Sequence, residues 1–149
     1  MNPDFLDLLR SLCEAEARFL VVGAYAVSFH SEPRATGDLD IWVEPTAENA
    51  QRVYAALAAF GAPLSDLSVT DLFTPGVVFQ MGVPPRRIDI LTSITAVSFD
   101  EAWPARVEGR YGDARFPLLG RDALLKNKRA LARPKDLLDL ELLERHRPR

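Results

Sequence analysis

The chain has 149 residues, 48% of them apolar and 26% charged, with a net charge of -3, as expected for one globular domain able to bury a core. That balance excludes a protein that coats nucleic acid over its whole surface and leaves room only for a local basic patch. One cysteine, Cys13, excludes an internal disulfide and multi-cysteine zinc clusters and fits a reducing cytoplasm.

The first apolar segment is broken by Asp4, Asp7, Arg10, Glu14 and Glu16, unlike a secretory signal. No apolar run approaches the roughly 20 residues of a membrane span. The expectation is a soluble cytoplasmic protein with no membrane partner. Apolar residues at Phe5, Leu6, Leu8, Leu9, Leu12 and Cys13 form a helical stripe over 3–17, with Cys13 expected as a buried core thiol. Residues 18–22 read as a buried strand ending at Gly23, 24–29 as a short helix and 37–43 as a second strand. Pro45 and Thr46 open an amphipathic helix through Val53, Tyr54, Leu57 and Phe60, which Gly61 stops.

A short helix is expected at 64–72, then strands at 77–81 and 87–91 joined through Gly82, Val83, Pro84 and Pro85. A short helix at 99–103 precedes a polar hairpin over 106–116 that turns at Tyr111, Gly112 and Asp113. Helices at 121–131 and 134–146 end the chain, Pro134 suiting a first helical turn. The predicted fold class is α/β (α+β): a single domain over 1–149, with a mixed-sheet core at about 18–118 and a helical C-terminal segment at about 120–147.

Asp38 and Asp40 stand two apart on the second strand, so their side chains share a face while Leu39, Ile41 and Val43 turn toward the core. Two carboxylates that close repel unless a cation sits between them, and a divalent metal is the economical candidate. A glycine turn at a helix start is a ready phosphate site. Asp89 interrupts an otherwise apolar strand, which costs stability unless its carboxylate has a partner. If that strand neighbours the first, three carboxylates converge and suit two metal ions. The alternative is that Asp89 pairs with Arg86 or Arg87, and Asp38 with Arg34, as surface ion pairs.

These residues resemble the nucleotidyltransferase superfamily of DNA polymerase β-like minimal enzymes, and more closely a bacterial subgroup related to AbiEii-type toxins. The first matching motif is Gly23-Ala24-Tyr25-Ala26-Val27 followed by Arg34, Thr36, Asp38 and Asp40. The second is Lys128, Arg133, Lys135, Asp136 and Asp139 near the end of the chain. The resemblance implies the nucleotidyltransferase fold, with a mixed β-sheet flanked by helices and a two-helix C-terminal tail. It also implies catalytic, metal-binding Asp38, Asp40 and Asp89, and Mg²⁺ or Mn²⁺ as two ions. Gly23 and Ala24 would lie against the phosphates of a nucleoside triphosphate, Lys128 would reach them, and Arg133, Lys135 and Asp136 would order the helices at the rim.

The implied activity is metal-dependent transfer of a nucleoside monophosphate to a hydroxyl acceptor: a protein side chain, an RNA end or a small molecule. A toxin–antitoxin setting with a cognate protein partner is a further implication. The competing reading is a catalytically weak module on the same fold that acts by binding nucleotide or a partner protein. Ala24 departs from the family's Gly or Ser there and removes a hydroxyl from the phosphate site. Arg34 is read as a triphosphate clamp or a partner of Glu32, and Thr36 as a phosphate ligand or a local turn hydroxyl. The dense cations from Arg121 to Lys135 suit an anion site or a solvated helical face. Trp42 suits stacking on a base or packing under the next helix, and His30 and His146 show no ligand spacing.

Overall fold

The computed structural model describes residues 1–33 and 36–146, so Arg34 and Ala35 of the first motif lie outside the described residues. The elements run α1 (Pro3–Glu14), β1 (Phe19–Val22), α2 (Gly23–His30), β2 (Leu39–Val43), α3 (Ala47–Phe60), a 3-10 turn (Thr70–Phe73), β3 (Val78–Met81) and β4 (Ile88–Leu91). They continue with α4 (Phe99–Ala102), β5 (Val107–Tyr111), β6 (Ala114–Leu118), α5 (Arg121–Leu131) and α6 (Pro134–Arg145).

Six strands form one mixed sheet in the order β3-β4-β2-β1-β6-β5. The hairpins β3/β4 and β5/β6 are antiparallel, as are β1 and β2, whereas β2/β4 and β1/β6 run parallel. β1 is buried along its whole length, which suits its unbroken run Phe19-Leu20-Val21-Val22 to the sheet centre. The core gathers Phe5, Leu8, Leu9 and Leu12 of α1 with Leu39, Ile41 and Val43 of β2 and Val53 and Leu57 of α3. α1 packs on α3, while α2 packs with α5 and α6.

Local chemistry explains the boundaries. Asn2 caps α1 by accepting from the Asp4 N–H at 2.8 Å, ahead of Pro3 in the first turn. Thr46 caps α3, and Gly61 ends it in the left-handed region at φ 93°, its N–H donating to the Leu57 and Ala58 carbonyls.

Three expectations change. The helix expected at 64–72 shrinks to the 3-10 turn, because Ser68 and Asp71 bond each other's backbone N–H groups (2.9 and 3.2 Å) as a capping box, which starts the turn only there. β2 begins at Leu39, leaving Asp38 outside the ladder. Cys13 is exposed, since it lies in the last turn about 100° round from Leu12, at the margin of the buried stripe.

Asn49 was given no role by the apolar pattern, yet it is only 2% exposed and locks two strand ends together. Its Oδ1 accepts from the Arg18 N–H at 2.7 Å, and its Nδ2 donates to the Arg18 and Glu44 carbonyls at 2.9 and 3.0 Å. Asn49→Ala orphans the Arg18 N–H and leaves each carbonyl one backbone donor, from Glu44 and Thr46, and is expected to cost about 2–3 kcal/mol in urea unfolding. A loss within error of zero would show that the three bonds add nothing beyond what water supplies.

Candidate functional site

The parallel pairing of β2 with β4 sets Asp40 directly opposite Asp89. Asp89 is buried and Asp40 partly so, and the two side chains share a hydrogen bond. Burial, then the neighbouring charges of Asp89 and Asp38, push the Asp40 carboxyl up to about 6. Arg87 offsets part of this. Its Nε donates to Asp89 Oδ1 at 2.9 Å and its Nη2 to Asp89 Oδ2 at 3.3 Å. The same guanidinium stands 3.7 Å from Asp38 Oδ2, while the Arg87 backbone N–H donates to Asp38 Oδ1 at 3.0 Å. Of the ion pairs weighed for Asp89, the one with Arg87 is present, and it is part of the carboxylate cluster.

The donors are hard oxygens, the kind that suit Mg²⁺ or Mn²⁺. Among the described residues, however, no three acidic, histidine or cysteine groups stand ready to hold an ion. Asp38 and Asp89 both lie close enough to act on Asp40, and Arg87 takes up Asp89 and one side of Asp38. Asp40 and Asp89 remain the pair that fits, since Mg²⁺ is commonly held by one or two carboxylates with substrate phosphates completing its shell.

Above Asp40 lies the start of α2. Gly23 has φ +66°, and a Cβ there would overlap Asp40 Oδ2 and stand 3.1 Å from Cγ, so only glycine lets the helix start approach the carboxylate. No side chain caps this helix. Gly23, Ala24 and Asp40 line a cavity of about 390 Å³, which α5 and α6 close with Lys128, Arg133 and Lys135.

Lys128 is not a free charge in that wall. It is 7% exposed and bonds Asp136 and Asp139, each at 3.1 Å. Arg133 is half exposed, and its Nε donates to Asp136 Oδ2 at 2.6 Å. Asp136 is fully buried and also accepts the Arg133 backbone N–H, so these bonds hold its carboxyl down to about 2. Lys135 is exposed on the cavity.

Other expected residues lie elsewhere. Thr36 lines a second, larger cavity together with Gly37, apart from the Gly23 cavity. Arg34 lies outside the described residues. Trp42 is 1% exposed and packs edge-on against Phe99 of α4 at 5.0 Å, so it offers no face to a base. His30 Nε2 bonds the Leu119 carbonyl at 2.8 Å, and His146 Nδ1 bonds the Leu142 carbonyl at 2.9 Å. Two residues the sequence reading passed over line the Gly23 cavity, Ser93 and Asn127. Asn127 is buried and donates to the Thr95 carbonyl at 2.9 Å; a polar residue beside the apolar pair Leu124 and Leu125 was the available signal.

No protein-family model matches the chain, and no curated protein matches it. Solved structures do. The lincosamide antibiotic adenylyltransferase LnuA, in its lincomycin-bound form, aligns at TM-score 0.59 and 15% identity over 97% of this chain and 96% of its own. The antibiotic-resistance factor ANT(2'')-Ia aligns at TM-score 0.60 and 14% identity over 96% of this chain and 84% of its own. TM1012 of Thermotoga maritima, described as a candidate nucleotidyltransferase, aligns at TM-score 0.56 and 14% identity over 97% and 93%. At these identities the likeness establishes the fold: a mixed sheet flanked by helices, shared with nucleotidyltransferases.

Two measurements test the electrostatics. Folding holds the Asp40 pKa above its ordinary 3.8, so the proton it favours stabilises the fold at low pH, and that gain is lost as pH rises through about 6. Asp40→Asn should therefore stabilise the metal-free protein by about 1 kcal/mol at pH 8, with the difference vanishing near pH 4. A pH-independent difference in melting temperature would refute this. Asp136 behaves oppositely: its stabilisation is present above about pH 4 and is lost as pH falls through about 2. Asp136→Asn should cost about 3–5 kcal/mol at pH 7, because it breaks a buried ion cluster, and progressively less in acid. Equal unfolding midpoints for the two proteins at pH 7 would contradict that role.

Proposed function

We propose that this chain is a nucleotidyltransferase that moves a nucleoside monophosphate from a nucleoside triphosphate to a hydroxyl acceptor. The observation that carries the reading is the placement of Asp40 and Asp89 on adjacent parallel strands, directly beneath the uncapped start of α2. The likeness to LnuA and ANT(2'')-Ia over most of the chain supports it.

The triphosphate lies in the cavity between α2 and the two C-terminal helices. Backbone N–H groups of Gly23 and Ala24 donate to its phosphates at the positive end of the helix. Lys135 and Arg133 add charge at the rim, and the Lys128 ion cluster holds α5 against α6 so that the cationic wall keeps its shape. Asp40 and Asp89, with Asp38 beside them, are the metal-binding and catalytic carboxylates. Mg²⁺ or Mn²⁺, when bound there, would supply charge neutralisation on the phosphates and a lowered pKa for the attacking hydroxyl. The acceptor oxygen bonds to the α-phosphorus, and the bond to the β-phosphate's bridging oxygen breaks as pyrophosphate departs. The hydroxyl proton passes to a carboxylate of the cluster. Arg87 places these carboxylates, and a cation held by Asp89 would compete with its guanidinium for that carboxylate.

Among acceptors, a small hydroxylated molecule is favoured over a protein side chain or an RNA end, because the LnuA structure holds lincomycin and this chain spans 96% of that protein. The AbiEii-type subgroup, a cognate toxin or antitoxin and a cytoplasmic location belong to the same proposal and rest on the sequence alone. The competing reading, a weak or inactive nucleotide-binding module, draws on specific features. Ala24 brings no hydroxyl to the phosphates, and Lys128 is already engaged by two carboxylates.

Calorimetric titration of ATP, GTP, CTP and UTP separates these. Binding in Mg²⁺ should weaken at least tenfold in EDTA and in Asp40→Ala, while transfer to an acceptor falls by orders of magnitude. Unchanged Mg²⁺-dependent affinity in Asp40→Ala removes the site assignment. Binding without transfer to any hydroxyl compound selects the module.

A further inference from the structure

We propose that the larger cavity, on the other side of α2, is the acceptor site, and that it takes a hydroxyl-bearing aromatic or polycyclic small molecule of neutral or negative charge rather than a polycation. This rests on the nucleotidyltransferase reading and specifies the acceptor for that site.

The cavity measures about 800 Å³ and lies among the N-terminus of α1, α2, the β5–β6 hairpin and the loops before β2 and β4. That volume holds a drug-sized molecule. One helix divides it from the nucleotide cavity: Gly23 and Ala24 face the one, while Tyr25 and Phe29 face the other. One end of its lining adjoins the carboxylate cluster along the chain: Gly37, which lines it, immediately precedes Asp38, and Arg86, which also lines it, precedes the Arg87 whose N–H bonds Asp38. Successive Cα atoms are about 3.8 Å apart, so that end of the lining lies within one residue of the Asp38 backbone, the end from which an acceptor hydroxyl would reach the cluster. Gly37 also allows the two loops to close that end, since a Cβ there would sit 3.3 Å from Pro85 Cβ.

The walls select the chemistry. Tyr25, Phe29 and Tyr111 line it with aromatic side chains from two elements, and the buried Phe116 backs them from a third. Gly109 makes room for one of them: a Cβ at that position would come within 3.0 Å of Phe116 Cδ2, so the Phe116 ring lies against bare backbone. Tyr111 is 49% exposed at the hairpin tip, a large aromatic left in solvent at the cavity's edge. The charged lining among the described residues is Arg86 and Arg110, both exposed, with no carboxylate. Glu108 reaches Arg110 at 3.7 Å from outside the lining, an exposed pair that a ligand anion can compete with. Aromatic side chains and two arginines in these walls favour planar rings and negative charge there, and an ammonium-rich ligand would meet repulsion along them.

The transfer balances with no further reagent. The acceptor's O–H oxygen bonds to the α-phosphorus, pyrophosphate leaves with the electrons of the broken P–O bond, and the proton passes to a carboxylate of the cluster.

The probe is 6-hydroxynaphthalene-2-sulfonate, a planar ring system with one hydroxyl and one negative charge; kanamycin serves as the hydroxyl-rich polycation. Calorimetry and probe fluorescence are followed on the full chain, with circular dichroism and nucleotide titration run on every variant. The naphthol should bind the wild type and lose at least tenfold in affinity in Tyr111→Ala and in Arg86→Glu/Arg110→Glu. Those variants should still bind triphosphate, and Asp40→Asn should still bind the naphthol. With ATP and Mg²⁺ the naphthol should become adenylylated, and kanamycin should neither bind comparably nor react. Naphthol affinity unchanged in both cavity variants, or a preference for kanamycin, overturns the proposal. Triphosphate binding with no naphthol binding overturns the acceptor cavity alone. Naphthol binding with no triphosphate binding in any form overturns nucleotidyl transfer, and the acceptor role with it.

Discussion

Two carboxylates held side by side against a helix start make the constraint on which the rest of this molecule is built. Asp40 and Asp89 face each other only because β2 and β4 run parallel in that register, and a one-residue slip would send one of them to the opposite face. Burial, and after it the charge of Asp89, raise the Asp40 pKa, a cost the metal-free fold carries at neutral pH. Two local features limit that cost. Arg87 places a guanidinium across Asp89 and toward Asp38, and Gly23 lets the positive end of α2 come close without a side chain.

The C-terminal helices meet a different electrostatic demand. Lys128 is buried, and a buried ammonium is tolerable only if its partners satisfy it fully. Asp136 and Asp139 do so, and Arg133 closes the cluster by binding Asp136 while capping α6 through the same carboxylate. The cluster joins α5 to α6 and fixes the wall that faces Gly23. Arg121 adds a second tie, its Nη2 donating to the carbonyls of Leu143 and His146. Positive charge in the second motif therefore divides into two kinds: Lys128 held within the cluster, and Lys135 presented to the cavity.

Helix α2 organises the space around the carboxylates. It is only eight residues long and has no capping side chain, so its first turn is open to a ligand on one side while its aromatic residues line a cavity on the other. Two cavities of different character thus flank α2, one walled by lysine and arginine and the other by aromatic side chains and two arginines.

Much of this architecture could be read from local pattern. The run Phe19-Leu20-Val21-Val22 dictates a buried strand, Thr46 and Gly61 bracket α3, Pro134 opens α6, and the Asp-x-Asp spacing with a third acid marks the carboxylates, because these signals act within a few residues of the backbone they govern. What depends on residues far apart could not be read that way. Arg86 and Arg87 both stand near enough in sequence to reach Asp89, and only the folded site, in which Arg87 also bonds the Asp38 carboxylate, decides between them. Lys128 reads as a free cation in the sequence, but the packing of α6 sets two carboxylates beside it, and Cys13 reads as part of the apolar stripe but lies at its exposed margin. Thr36 passed to a different cavity because β2 starts only at Leu39. The sequence alone determined the elements, their caps and the acidic residues, since those follow from near-neighbour sterics and periodicity; the tertiary structure decided which charges meet and which cavities open, since electrostatic pairing depends on distances that only the folded sheet and helices set.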